Sequence, residues 1–274
     1  SAFLIAGPTA SGKSALALAI AEAFNGAIIN ADSMQVYDTL RVLTARPDEG
    51  DLARVPHYLY GHVAPQADYS VGHWVTDARA ALAQVRANGQ VPVFTGGTGF
   101  YFRVLLHGLA DIPDIPTELR EGLRQRLEDE GVHALHAELE ARDPKLARRL
   151  SPNDPQRILR GLEVFEATER PLSDWQGEAQ NPLLSEPATC LMLAPARDWL
   201  YARCDARFQT MLADGAAQAE IAALSALHLP HQAMVLKALG VAELQAVADD
   251  SMDVEAAIAQ AKMRTRRYAK RQMT

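Results

Sequence analysis

The stretch of sequence that decides the fold is Gly7-Pro8-Thr9-Ala10-Ser11-Gly12-Lys13-Ser14, which matches G-x-x-x-x-G-K-[ST] in full. The apolar residues 3–6 precede it, and a helical pattern follows it. The glycines let backbone N–H groups converge on phosphate oxygens, and the positive end of the helix faces the same point. Lys13 adds a compact charge, and the Ser14 hydroxyl can ligate Mg²⁺. The motif therefore predicts phosphate binding, with a glycine-rich turn carrying an incidental lysine as the alternative, and it leaves the reaction open.

The first part of the chain alternates apolar runs with helical patterns, which is typical of a parallel α/β sheet. We predict strands at residues 3–6, 27–29 and 91–94, and a helix over residues 74–86. A late strand is predicted at residues 189–193, after a long gap. The fold class indicated is a P-loop NTPase-like parallel sheet flanked by helices.

The gap before the late strand has a helical pattern throughout residues 116–186, with leucines spaced for packing at 119, 123, 127 and 135. A strand-poor segment between two pieces of a sheet is best interpreted as an inserted all-helical domain. Prolines at 113, 116, 182 and 187 suit its boundaries. We therefore predict a discontinuous core domain of residues 1–115 and 187–274, and a helical insertion of residues 116–186.

The composition excludes several classes of protein. The chain has 274 residues, 48% of them hydrophobic, and a net charge of −7, so it is neither disordered nor generally basic. An acidic total does not exclude an RNA partner, because only the charge on the contacting face matters. No apolar run approaches the roughly 20 residues needed to cross a bilayer, and the first residues have no basic leader pattern. We expect a cytoplasmic monomer without a membrane partner, with Cys190 and Cys204 as two reduced core thiols.

Asp32 falls where the second strand should end, on the same edge of the sheet as the phosphate loop. Ligands of open α/β sheets bind at that edge. A carboxylate there can help to hold Mg²⁺, act as a general base toward an acceptor, or cap a turn. The residue by itself does not choose among these roles.

Several further motifs follow the phosphate loop in order. They are Asp32-Ser33-Met34-Gln35-Val36-Tyr37, Thr44-Ala45-Arg46-Pro47, Gly96-Gly97-Thr98-Gly99-Phe100-Tyr101, Asp154-Pro155-Gln156-Arg157 and Arg267-Tyr268-Ala269-Lys270-Arg271-Gln272. Together with the phosphate loop, this set resembles the bacterial tRNA dimethylallyltransferase family. Any one motif is weak, whereas the ordered set spans essentially the whole chain and is highly specific.

The resemblance implies transfer of a dimethylallyl group from dimethylallyl diphosphate to N6 of the adenosine just 3′ of the anticodon, with Mg²⁺ as the metal. It implies that residues 7–14 hold the diphosphate of the donor rather than ATP, and that Thr9 and Lys13 act in catalysis together with Asp32. A base at Asp32 would help a poorly nucleophilic amine to attack. Lys13, the loop amides and Mg²⁺ on Ser14 would absorb the charge of the departing diphosphate.

The resemblance also assigns contacts with the anticodon stem-loop of tRNA. The residues concerned are Asp32, Ser33, Met34, Gln35, Thr98, Arg120, Gln156, Arg157, Ile158, Leu159 and Arg160. The sequence around 154 predicts a helix capped by Asn153 or Asp154, with Pro155 in its first turn. On that helix Ile158, Leu159, Leu162 and Phe165 form an apolar stripe, and Gln156 and Arg160 share another face. An ordinary solvated face is the alternative for Gln156, Arg157 and Arg160, a solvated helix surface for Arg120, and a flexible turn for residues 96–99.

Other features leave two interpretations open. The basic residues Lys262, Arg264, Arg266, Arg267, Lys270 and Arg271 suit phosphate contact or a solvated helix. Tyr37 and Tyr101 could line the pocket for an unstacked base or belong to the core. We expect Arg46 near the diphosphate or the RNA backbone. Chains of the family usually continue past the Arg-Gln segment with a Trp-containing end, so we expect both ends of this chain to be trimmed.

Three other functions are alternatives to the interpretation as a tRNA dimethylallyltransferase. An enzyme that prenylates free adenine nucleotides would share the phosphate loop and Asp32, but it would have little need for a helical insertion. A small-molecule kinase would use ATP, and we find no arginine-rich lid signature. A non-catalytic RNA-binding protein with a nucleotide-sensing loop is the third, and the intact donor-site motif counts against it.

Overall fold

The computed structural model describes residues 1–178 and 181–273. It divides into two compact units, Ser1–Leu106 with Leu183–Thr274, and His107–Pro182. Ala179 and Gln180, which fall within the predicted helical segment, and Thr274, at the predicted trimmed end, lie outside the described residues.

The strands are β1 (Ala2–Ala6), β2 (Gly26–Asn30), β3 (His57–Tyr58), β4 (Val91–Gly96) and β5 (Ala188–Met192). The helices before the second unit are α1 (Lys13–Ala23), α2 (Glu49–Arg54), α3 (Val71–Ala87) and α4 (Gly99–His107). The second unit contains α5 (Thr117–Glu130), α6 (Val132–Arg142), α7 (Pro144–Ala147), α8 (Pro155–Thr168) and α9 (Leu172–Gly177). The chain continues with α10 (Arg197–Leu212), α11 (Ala216–Ser225), a 3₁₀ helix (Met234–Lys237), α12 (Val241–Ala248) and α13 (Val254–Arg271).

Within residues 1–178 and 181–273, five strands form one parallel sheet in the order β3-β2-β4-β1-β5. Leu4 lies opposite Phe94, and Asn30 lies opposite Thr95. Because parallel strands end at a common edge, the loops after β1, β2 and β4 lie side by side. The predicted parallel α/β sheet is confirmed. The two-residue strand β3 was not predicted, because it is too short to leave a periodic signal.

Helix α3 fixes one face of the sheet. Ser70 and His73 form a capping box at its start, and Trp74 is fully buried on its inner face. The Trp74 indole donates a hydrogen bond to the Asn30 carbonyl at 3.1 Å and stacks on Tyr101 at 4.0 Å between ring centroids. Tyr101 is 4% exposed and Tyr37 is 1% exposed, so both tyrosines belong to the core and not to a pocket.

The segment after Asp32 is held by long-range hydrogen bonds. The Glu220 carboxylate on α11 accepts the backbone N–H groups of three consecutive residues, Arg41, Val42 and Leu43, at 2.6 to 3.0 Å. The Arg46 guanidinium donates to the backbone carbonyls of Tyr37 and Asp38, so it ties its own loop together. Its place near the diphosphate or the RNA backbone stays a prediction.

The second unit has its own hydrophobic core, built from leucines of α5, α6 and α8. Asp154 caps α8 by accepting the Arg157 N–H at 3.2 Å, and Pro155 occupies the first turn, as predicted. Ile158 is fully buried and Leu159 is 9% exposed. Their side chains fill this core and do not face solvent, and the tRNA contact of these two residues stays a prediction.

Two sequence expectations concern the environment of the chain. Cys204 is buried, but Cys190 is exposed on β5, so only one of the two thiols is a core residue. In the part of the chain that the structure describes, we find no helix with the length and apolarity to pass through a bilayer.

Candidate active site at the phosphate loop

The phosphate loop runs from the end of β1 into α1. Gly12, the residue before the helix, has a φ of 94°, a left-handed backbone that favours glycine. The first turn of α1 carries no acidic side chain, so its positive end is not neutralised locally. Ser14 is exposed on this turn, and the Lys13 ammonium donates to the Pro8 carbonyl at 3.2 Å. The loop is therefore arranged to receive an anion.

Helix α10 supplies two arginines that sequence reasoning missed. The Arg207 guanidinium donates to the Thr9 hydroxyl, and Arg203 donates to the Ala10 carbonyl at 3.1 Å. These residues are four apart, so they share one helix face, and Cys204 lies between them with its thiol 3.9 Å from the Thr9 carbonyl. Arg203 also stacks on Trp199 at 4.8 Å. The four-residue spacing of Arg203 and Arg207 predicts a shared helix face, but the local sequence does not indicate that this face of α10 contacts the phosphate loop.

Two cations beside the loop are desolvated. Burial lowers the pKa of Lys13, and the nearby Asp32 carboxylate opposes that shift only in part. Burial also lowers the pKa of Arg207. The hydrogen-bond partners of both side chains are uncharged groups of Pro8 and Thr9. A bound anion would compensate both charges, which favours a diphosphate at this point.

Asp32 lies in a hydrogen-bonded turn at the end of β2. The buried Asn30 side chain accepts the Asp32 N–H at 2.9 Å and donates to the Asp32 and Leu59 carbonyls at 2.9 and 3.0 Å. One Asp32 oxygen, Oδ1, accepts the Met34 N–H at 3.0 Å. The turn-capping role is therefore real, and it orients the carboxylate instead of excluding a chemical role.

Two cavities meet beside this turn. The phosphate cleft, of about 700 Å³, is lined by the loop, the start of α1, α2 and α10. The side pocket, of about 490 Å³, has apolar walls from Met34, Leu43, Phe208, Met211, Ala238 and Leu239, and it also includes Lys237, Arg264, Arg267, Tyr268 and Arg271. The residues common to both cavities are Thr9, Asp32, Thr44 and Arg207.

The structure brings most of the predicted site residues in the first unit together. Thr9, Lys13, Ser14, Asp32, Ser33, Met34 and Gln35 line one or both cavities. Thr98 accepts the Ser33 N–H at 3.0 Å and so supports the same turn. The other predicted tRNA contacts lie in the second unit, where Gln156 and Arg157 are exposed and Arg120 and Arg160 are half-buried.

The basic end of α13 is divided between pairing and exposure. Arg264 pairs with the buried Glu243 at 2.6 Å, and Arg266 pairs with Asp205 at 2.7 Å. Arg267 is exposed, and it lines the side pocket beside Tyr268, whose pKa is raised by burial. Arg264 and Arg266 are therefore engaged in ion pairs, and phosphate contact by this segment stays a prediction.

A parallel sheet and a phosphate loop between strand and helix define a P-loop protein, which here has a second cavity beside its phosphate loop. A family model described as IPP transferase matches residues 35–274, and one described as isopentenyl transferase matches residues 1–60. The chain belongs to the IPP transferase family.

Named relatives agree with this family. A tRNA dimethylallyltransferase of Rhizobium meliloti (strain 1021) is 50% identical over 275 residues, which cover 100% of this chain and 90% of the relative. The full-length tRNA isopentenylpyrophosphate transferase from Bacillus halodurans is 30% identical with a TM-score of 0.68, over 100% of this chain and 85% of its own. A eukaryotic dimethylallyltransferase acting on tRNA is 30% identical with a TM-score of 0.84, and the match covers 99% of this chain and 68% of the eukaryotic chain. The predicted P-loop NTPase-like fold is confirmed.

Replacing Lys13 by Met should weaken the binding of inorganic diphosphate about tenfold to a hundredfold, because a charged hydrogen-bond donor is lost. Calorimetric titration of diphosphate with Mg²⁺ present measures the effect. The matched control is Lys145→Met, which removes an exposed lysine of the second unit. Equal diphosphate affinity in the wild type and in Lys13→Met would contradict the assignment of the loop.

Proposed function

We propose that this chain transfers a dimethylallyl group from dimethylallyl diphosphate to N6 of the adenosine 3′ of the anticodon in tRNA. The observation that carries the proposal is the junction of the two cavities, where Thr9 and Arg207 of the anion site meet the Asp32 carboxylate. The names of the relatives, tRNA dimethylallyltransferase and tRNA isopentenylpyrophosphate transferase, support the five-carbon prenyl group as the group transferred and tRNA as the acceptor.

The donor would bind with its diphosphate in the phosphate cleft. The loop amides, Lys13 and Arg207 would hold its oxygens. The negative diphosphate would compensate the positive charges of Lys13 and Arg207, which are partly removed from solvent. The exposed Ser14 hydroxyl is a hard oxygen donor in this cleft, so it fits Mg²⁺. Ser14 would help to hold Mg²⁺, and the metal would supply positive charge that offsets part of the leaving-group charge.

The acceptor adenosine would enter the side pocket. Its apolar walls suit an unstacked base, and the exposed Arg267 together with Lys237 suits the flanking RNA phosphates. Bringing the base to the junction puts its exocyclic amine beside the allylic carbon of the donor.

The reaction then needs one proton acceptor. The amine nitrogen forms a bond to the allylic carbon, the bond from that carbon to the diphosphate oxygen breaks, and the amine proton passes to Asp32. The turn that holds Asp32 Oδ1 on the Met34 N–H fixes the carboxylate for this transfer. Lys13 and Arg207 stabilise the departing diphosphate.

The second unit would contact the anticodon stem-loop. Gln156 and Arg157 are exposed near the start of α8, and Arg160 follows one turn later. Arg157 lies 3.3 Å from Asp154, a weak surface pair that an RNA phosphate can replace. We retain Arg120, Ile158 and Leu159 in this set. We also propose that the protein acts as a cytoplasmic monomer.

The purified chain should transfer label from dimethylallyl diphosphate to tRNA with adenosine 3′ of the anticodon, and it should not label free AMP. Acid precipitation of labelled tRNA, and thin-layer chromatography of a parallel reaction with AMP, measure the two products. Label on AMP and none on tRNA would replace this proposal with a nucleotide prenyltransferase, and transfer from ATP would indicate a kinase.

Asp32→Asn should lower kcat by about 10²- to 10⁴-fold while tRNA affinity stays at the wild-type value, because the amide keeps the shape but cannot take the proton. Single-turnover assays and tRNA titrations measure the two quantities. Asp38→Asn, an exposed site in the same loop, is the control. Wild-type turnover by Asp32→Asn would remove Asp32 from the base role.

Arg157→Gln should weaken tRNA binding and reduce the slope of log affinity against log salt by about one, because one phosphate contact is lost. Salt titrations of tRNA binding test this, with the exposed Arg148→Gln as a matched control in the same unit. An unchanged slope would place Arg157 outside the RNA contact.

A further inference from the structure

We infer that Gln272 is a positioning residue that sets the spacing between the phosphate loop and the Asp32 turn. Its effect on turnover rests on the proposed function. Gln272 follows the last residue of α13, and its side chain reaches two loops at the edge of the sheet.

The Gln272 amide satisfies one group of each loop. Its oxygen, Oε1, accepts the Thr9 N–H at 2.8 Å, and its nitrogen, Nε2, donates to the Gly97 carbonyl at 2.8 Å. A side-chain amide has one acceptor end and one donor end, so only this orientation satisfies both partners. Neither a carboxylate nor an ammonium could make the same pair of bonds.

Gly97 makes room for this contact. A Cβ atom on Gly97 would lie 2.2 Å from Gln272 Nε2 and 3.2 Å from Asp32 Oδ2. Any side chain there would displace the amide of Gln272 and press on the proposed base. Gly97 therefore has a physical role that neither a flexible turn nor a direct RNA contact provides.

The phosphate loop belongs to the proposed site of the leaving group, and the Gly97 loop supports the turn that carries the proposed base. Thr9 contacts Arg207, which belongs to the anion site. Gly97 precedes Thr98, which accepts the N–H of Ser33 next to Asp32. Gln272 thus links the side that holds the leaving group to the side that holds the base. A shift of about 1 Å between reacting groups can cost on the order of a hundredfold in rate.

An ordinary helix-end contact would have a different signature. Its loss would lower the thermal midpoint, and it would not lower kcat selectively while donor KM stays unchanged. A positioning contact lowers kcat and leaves donor KM near the wild-type value, because each loop keeps its own ligand-binding groups.

The test is a double-mutant cycle of Gln272→Ala and Gly97→Ala, with kcat, donor KM and the thermal midpoint measured for each protein. We expect each single variant to lower kcat on the order of ten- to a hundredfold, with donor KM little changed. The double variant should lose no more than the worse single variant, because both changes break the same contact. The matched controls are Gln260→Ala, exposed on α13, and Gly99→Ala, whose Cβ would meet nothing within 4 Å, and both should keep wild-type kcat.

The outcomes separate this inference from the proposed function. The positioning role alone is overturned if the wild-type chain transfers label and Gln272→Ala keeps a wild-type kcat. It is also overturned if the losses of kcat in the two single variants multiply in the double variant. Losses that follow a lower thermal midpoint, without a selective fall in kcat, would overturn it as well. A wild-type chain that transfers no label would overturn the proposed function and, with it, the role of Gln272 in turnover. Coupling between Gln272→Ala and Gly97→Ala in thermal unfolding would then support only the contact between the two residues.

Discussion

The parallel alignment of β2, β4 and β1 is the constraint on which the rest of the site depends. Parallel strands end at the same edge, so the three loops that follow them must lie next to one another. The phosphate loop, the Asp32 turn and the Gly97 loop are therefore neighbours, although they are far apart along the chain. The sheet brings the loops to one place, and contacts from later helices set their spacing.

Desolvated positive charge is the second determinant of the site. Lys13 and Arg207 are half-buried and donate to uncharged groups, and desolvation lowers the pKa of both side chains. Such a cost is sustained where an anion restores the balance, and the positive end of α1 points to the same place. In a P-loop this arrangement is compatible with the triphosphate of ATP or with a diphosphate. The side pocket, with its apolar walls, favours a reaction between a diphosphate ester and an acceptor base.

The last helices of the chain complete the site of the first unit. Helix α10 brings two arginines to the phosphate loop, and Gln272 ties the end of α13 to that loop and to Gly97. Glu220 on α11 binds three consecutive backbone N–H groups of the segment that lines both cavities. A backbone loop with so many external partners has little freedom to move, which suits a site that must hold two substrates in register.

The sequence by itself determined the features that depend on local pattern. The strand, loop and helix around Lys13, the parallel sheet, the cap of α8 at Asp154 and the position of Asp32 at the strand end all follow from short-range periodicity and motif spacing. Only the tertiary structure decided which distant groups meet these elements. Arg207 and Gln272 contact Thr9 across separations of 198 and 263 residues, and Arg46 turns to its own loop. Packing also placed Ile158 in a core. Local pattern cannot report such contacts, because they depend on how whole elements pack and on which helix face is buried.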